Sequence, residues 1–233
     1  MKRLKPKALK LLVAAGPTRE PLDPVRYLSN RSTGVFGQAV IAAAKRRGHK
    51  VVLVTGPTGL PPTQGVKTIQ VETALEMQAA LEKEFDRADA LVMTAAVADF
   101  RPARVSVQKI KRTGTSGGLK VFGIDLVENP DIVAGLAARR TRQVVMGLAL
   151  ETSNGLKNAR AKLLEKQLDA VVLTQLKKGS APFGKTNLSG AILLGHGKPK
   201  SFRRLSKETL AARMLGVIES LVKERTVHGF LAR

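Results

Sequence analysis

Leu11-Leu12-Val13-Ala14-Ala15-Gly16, followed after a polar turn by Ser29-Asn30-Arg31-Ser32-Thr33-Gly34-Val35-Phe36-Gly37, decides the fold. The first stretch is an unbroken apolar run, the pattern of a strand buried on both faces, as in a parallel sheet. The second leads into a helical pattern over 36–47 that stops at Gly48, a natural residue just past a helix end. Strand, turn and helix in that order open an α/β unit. Ser32, Thr33, Gly34 and Gly37 form a turn that offers backbone N–H groups and the positive end of a helix dipole to an anion. An ordinary capped start, with glycines for close packing, explains the same residues equally well.

Further apolar runs at Val51–Val54, Leu91–Met93, Val144–Met146 and Val171–Leu173 repeat the strand signal. Helical segments alternate with them. Residues 73–87 follow Thr73 as a cap, and Asn129-Pro130 opens another helix with Asn as the cap and Pro at the first helical position. Residues 155–168 and 206–223 complete the set; the latter carries Leu210, Met214, Val217, Ile218 and Leu221 on one stripe. The expectation is one domain over 1–233, an α/β doubly wound and mostly parallel sheet of Rossmann-like type. Residues 100–128 interrupt the alternation with Lys109-Ile110-Lys111-Arg112 and a Gly-rich run, which predicts a protruding two-stranded flap at about 104–124. Residues 174–205 are less regular, with a strand expected at Ala191–Leu194.

Composition narrows the function. There are 40 Lys and Arg against 18 Asp and Glu, a formal charge of +22, which favours phosphate-bearing partners. Aromatic residues make up 3%, too few for a base-stacking surface, so small phosphorylated ligands rank ahead of nucleic acid, whose binding would be nonspecific. Cysteine is absent, which excludes disulfides and thiolate chemistry and fits a cytoplasmic location. The N-terminus begins like a signal peptide, but its apolar part is short and reads better as a strand. No apolar run approaches the roughly 18 residues a membrane helix requires. The dinucleotide pattern GxGxxG is missing, which counts against a Rossmann oxidoreductase.

Gly16-Pro17-Thr18-Arg19-Glu20-Pro21-Leu22-Asp23-Pro24-Val25-Arg26-Tyr27-Leu28-Ser29-Asn30-Arg31-Ser32-Thr33-Gly34 resembles the opening motif of phosphopantothenate–cysteine ligases. Ala95-Ala96-Val97-Ala98-Asp99-Phe100, Lys109–Arg112, Asn129–Ile132, Gly147–Thr152, Ala159–Leu163 and Lys166 continue the resemblance in order over nearly the whole chain. The decarboxylase half that often precedes this pattern is not in the sequence, so the match is to a stand-alone synthetase.

That resemblance implies a ligase in coenzyme A biosynthesis. Its carboxylate substrate, 4′-phosphopantothenate, attacks the α-phosphate of CTP (or ATP), pyrophosphate leaves, and cysteine takes the acyl group. Such a site positions reactants and neutralises phosphate charge without a protein nucleophile. The resemblance assigns catalytic roles to Asn30 and Lys109, and nucleotide contacts to Thr94, Ala95, Asp99, Lys109, Asn129, Pro130, Asp131, Ile132, Leu148, Lys162 and Lys166. It implies Mg²⁺ carried on the triphosphate, with no metal ligands identified, and a homodimer built on the flap. Read without the family, Asn30 is a turn residue, Asp99 a cap, and Lys162 and Lys166 surface lysines. Four positions depart from the pattern: Gly16-Pro17 for Gly-Gly, Val35 for Lys or Arg, Leu148 for Phe, and Leu173-Thr174-Gln175 for Ala-Asn-Asp. Val35 removes a phosphate-facing charge and Leu148 an aromatic contact. A rival reading is a basic homologue that binds nucleotide or nucleic acid without ligase activity.

Overall fold

Every one of the apolar runs becomes a strand of one sheet. The computed structural model describes residues 8–111, 123–176, 183–184 and 186–231, without the side chains of 228–231. The elements run β1 (Lys10–Ala15), β2 (Arg19–Pro21), β3 (Tyr27–Ser29), α1 (Val35–Arg46), β4 (Lys50–Thr55), β5 (Lys67–Gln70), α2 (Ala74–Phe85), β6 (Ala90–Met93), β7 (Phe100–Pro102) and β8 (Leu126–Glu128). They continue as α3 (Ile132–Ala138), β9 (Val144–Glu151), α4 (Gly155–Glu165), β10 (Ala170–Gln175), β11 (Leu188–Leu194), β12 (Lys200–Leu205) and α5 (Lys207–Leu231).

The described strands form an eight-stranded sheet in the order β12-β11-β10-β9-β6-β1-β4-β5. Its six parallel strands, β5-β4-β1-β6-β9-β10, have the spatial order 3-2-1-4-5-6 when numbered along the chain, as in a dinucleotide-binding fold. β11 extends it antiparallel to β10, and β12 pairs antiparallel with β11 at the edge. Alternate residues of one strand serve opposite layers. Leu11, Val13 and Ala15 pack under α1 and α5, whereas Leu12 and Ala14 pack with α2, α3 and α4. Two-sided burial is why these strands read as continuous apolar runs.

Helix ends follow local chemistry. Thr73 caps α2 in a reciprocal capping box with Glu76, as expected. Gly48, at φ +80°, follows α1. The expectation that Asn129 caps the third helix is corrected. Asp131 does so instead, accepting from the Ala134 N–H at 3.1 Å, and the helix begins at Ile132. Asn129 is engaged elsewhere: its amide donates to the Ala98 carbonyl at 2.9 Å and accepts from Arg101 at 3.1 Å.

Two antiparallel strand pairs lie outside the main sheet, β2-β3 and β7-β8. The second pair is the root of the interruption at 100–128, with Phe100 opposite Glu128 and Pro102 opposite Leu126. Arg112 and the Gly-rich tip lie outside the described residues. The root is tied to β2-β3 through buried Asp23, which accepts from Ile110 N–H (3.1 Å), Val25 N–H (2.8 Å) and the Arg26 side chain (Nε, 2.9 Å). The Arg26 guanidinium holds the Asp23 carboxyl well below the usual carboxylate range, against the opposing pull of desolvation.

Candidate active site

Strand β1 is flanked by β4 and β6, and the chain leaves it toward opposite sides, so a crevice opens at the carboxyl ends of β1 and β6. Two loops meet there through backbone bonds. Ala96 N–H reaches the Gly16 carbonyl at 2.9 Å, and Thr18, fully buried, accepts from Ala98 N–H at 2.9 Å. Thr94 closes the strand end by donating its hydroxyl to the Ala14 carbonyl at 2.6 Å. Glu20, also buried, accepts from Ala74 N–H at 3.0 Å and so fixes the start of α2. Much of the 16–34 block is therefore scaffold for the crevice.

The crevice is a cavity of about 520 Å³. Ser32, Thr33 and Gly34 line one side at the start of α1, where Gly34 takes φ +76° and no side chain caps the helix. Its first-turn N–H groups thus face the cavity side without a side-chain acceptor. Gly37 is not among the lining residues. A Cβ there would lie 2.4 Å from that of Ala15, so this glycine lets helix and strand approach each other. The two readings of the turn therefore divide between its residues.

Thr94, Ala95 and Asp99 line the floor; Asn129, Pro130, Asp131 and Ile132 form the wall beside α3; Leu148, Lys162 and Lys166 form the wall beside α4. Lys162 donates to the Leu148 carbonyl at 2.6 Å, and Lys166, just past the end of α4, pairs with Asp131 at 2.7 Å. Burial pushes the Lys162 ammonium below its ordinary value and nearby Lys166 adds to the shift, while Asp131, Glu151 and Asp99 oppose it. The spacing of four, which without the family reads as a pair of surface lysines, puts both on the cavity.

Asn30 and Lys109 are not among the lining residues. The Asn30 amide donates to the Ala96 and Val97 carbonyls at 3.1 and 3.0 Å, holding the loop that forms the floor. Lys109 is exposed on the loop anchored by Asp23. Thr174 stands in the wall where the family pattern has Asn, and Val35 lies at the α1 rim. Lys207 and Phe183 line the cavity without having been singled out by the sequence. One signal was available for Lys207: a lysine that opens an amphipathic helix opposes the helix dipole and calls for a separate reason. Among the described residues no group of three or more His, Asp or Glu is arranged to hold a metal. No described helix is long and apolar enough to cross a membrane.

Residues 7–221 match the family model for the DNA/pantothenate metabolism flavoprotein C-terminal domain. The chain is 46% identical over 182 residues to the coenzyme A biosynthesis bifunctional protein CoaBC of Escherichia coli, covering 78% of this chain and 44% of that protein. It is 40% identical over 220 residues to the protein of the same name from Mycobacterium tuberculosis, covering 90% and 51%. The chain thus spans about half the length of these curated relatives. The crystal structure of the C-terminal domain of a CoaBC superposes with a TM-score of 0.77 at 32% identity, over 93% of this chain and 96% of that one. A Cab2 mutant in complex with phosphopantothenate-cysteine shares the fold, with a TM-score of 0.71 at 16% identity over 95% and 88% of the two chains. By this match over residues 7–221, the chain belongs to the family of the DNA/pantothenate metabolism flavoprotein C-terminal domain.

Proposed function

We propose that the protein joins 4′-phosphopantothenate to cysteine with consumption of a nucleoside triphosphate, as a step of coenzyme A biosynthesis in the cytoplasm. The observation that carries this reading is the crevice between β1 and β6, with the first turn of α1 on one side and Lys162 and Lys166 on another. No histidine is among its described lining residues and the chain has no cysteine, which suits chemistry by positioning and charge neutralisation. The names of the relatives, and the ligand of the Cab2 complex, point to the same substrates.

In the first step a carboxylate oxygen of 4′-phosphopantothenate attacks the α-phosphorus of the nucleotide. The bond to the β-phosphate oxygen breaks and pyrophosphate leaves with its electron pair. In the second step the cysteine amine attacks the acyl carbon, nucleoside monophosphate departs, and the amine loses a proton. Asp99, Asn129 and Asp131 present acceptors to sugar and base hydroxyl or amino groups, and Lys162 and Lys166 present N–H donors beside them. Asn30 positions Ala96 and Val97, and Lys109 faces the triphosphate. CTP is favoured over ATP by resemblance to the bacterial enzymes, with Mg²⁺ arriving on the phosphates as part of the substrate.

The test is pyrophosphate release from each of CTP, ATP, GTP and UTP, with and without 4′-phosphopantothenate. Release from CTP that requires 4′-phosphopantothenate, followed by phosphopantothenoylcysteine on addition of cysteine, is the expected result. Nucleotide or nucleic-acid binding with no release from any of the four would overturn it in favour of a non-catalytic homologue. Lys109→Ala is expected to slow pyrophosphate release by about tenfold or more, because a cation is lost where charge develops on the leaving group. An unchanged rate would remove Lys109 from the site.

A further inference from the structure

The cavity has two cationic walls of unlike character. On the α4 wall, Lys166 is paired with Asp131, and Lys162 sits among Asp131, Glu151 and Asp99. Positive charge there is offset by carboxylates, which suits the hydroxyl and amino groups of a nucleoside. The opposite wall is built from the last part of the chain. Because β11 runs antiparallel to β10 and β12 antiparallel to β11, β12 points the same way as β10; the chain therefore returns after β12 to the carboxyl edge of the sheet, and α5 starts there with Lys207.

Lys207 is only 6% exposed, yet it lines the cavity together with Thr174, Phe183 and Leu188. Its ammonium donates to the Gly184 carbonyl, and the Gly184 N–H donates to the Thr33 hydroxyl at 3.3 Å. A two-bond chain thus connects the first residue of α5 to the turn that opens α1. Burial disfavours an ammonium, and its place at the positive end of α5 disfavours it again. Burial does lower the affinity of this lysine for its proton, opposed by neighbouring Glu208. A polyanion lodged between Lys207 and the first turn of α1 offsets both penalties at once.

We infer that Lys207 binds the β- and γ-phosphates of the nucleotide, setting the triphosphate toward α1 and α5 and the nucleoside toward α3 and α4. This rests on the ligase reading above. Lys207→Gln removes the charge while keeping an N–H donor for Gly184. Its affinities for CTP, ATP and CMP are to be measured by titration calorimetry beside those of wild type, together with KM and kcat for the overall reaction. The expected result is a loss of about tenfold or more in triphosphate affinity, CMP affinity unchanged, and a rise in KM for the nucleotide that Lys207→Arg largely reverses. Equal triphosphate affinity in wild type and Lys207→Gln overturns the inference, as does a parallel loss for CTP and CMP, which signals a purely structural role. If wild type binds no triphosphate at all, the ligase reading fails instead. Should Lys207→Gln not fold, lysine Cε resonances of wild-type protein, with Lys207 identified through Lys207→Arg, give the same decision. Inorganic pyrophosphate must shift the Lys207 resonance; an unmoved resonance at saturating pyrophosphate overturns the inference.

Discussion

Both amide hydrogens of Asn30 end on carbonyl oxygens, those of Ala96 and Val97. Asn30→Asp therefore sets a carboxylate oxygen against two carbonyls. The expected cost is about 0.5–1.5 kcal/mol of stability, with both half-reactions slowed together as the cavity floor loosens. Urea unfolding and rapid-quench analysis check this; acyl-nucleotide trapped in a variant of unchanged stability would assign Asn30 to the transfer step alone. Lys162 carries a pH prediction. Burial lowers its folded-state value below 10.5, so the folded protein sheds this proton before the unfolded chain does. Between the two values the unfolded state binds more protons, and the contribution of this group to stability rises with pH. In Lys162→Met that rise is expected to shrink in urea unfolding measured from pH 8 to 10.5; identical slopes would refute it. These two residues also show what could be read from sequence. The motif brought Asn30 to notice, but only the fold shows that it braces a loop. For Lys162 the helical spacing could not choose between solvent and cavity, because that depends on which flank of α4 meets Leu148.

Among elements, the parallel strands were legible because two-sided burial writes itself as uninterrupted apolar sequence. The short pairs β2-β3 and β7-β8 were much less so, since three-residue strands leave almost no period to detect. The cap of α3 was misread by two residues: Asn-Pro and Pro-Asp both carry capping chemistry, and the bond from Asn129 to Ala98 that decides between them joins positions 31 apart. Asp23 joins the two small pairs by binding Ile110, one residue beyond Lys109. Asp23→Asn keeps an acceptor but loses the charge that holds Arg26. Proteolysis between 103 and 111 is expected to become several-fold faster, with pyrophosphate release reduced and α/β circular dichroism unchanged. Unaltered cleavage would show that the tether is dispensable. Since Arg26 lowers the Asp23 value, this tether should persist at neutral pH and down through the ordinary carboxylate range.

At the scale of the whole molecule, the two small strand pairs pack side by side; Tyr27, Phe100, Leu126 and Val127 are exposed on them, and Val105, Val107 and Ile124 on the segments beside β7 and β8. Val107 is 90% exposed. An apolar group of this kind on a two-stranded projection favours burial against a second copy of the chain. The expected species in sedimentation equilibrium is a homodimer of twice 25.0 kDa, with Val107→Asp shifting it toward monomer. A single 25.0 kDa species at micromolar concentration would contradict this. The excess of basic residues, legible at once, adds an expectation of salt-sensitive nucleotide binding, since a charge of +22 draws in anions over a range that salt shortens.

The strand order has a consequence in time as well as in space. Among the strands of the sheet, β1 is translated before the others, and β4 and β5 can pair beside it while the rest is still unmade. The crevice does not exist at that stage, because its second edge, β6, begins 80 residues after β1 and its last wall waits for Lys207. A nascent chain therefore has β1, β4 and β5 to pair well before it has any place to hold a nucleotide, and the ligand can act on folding only after Lys207 has been made.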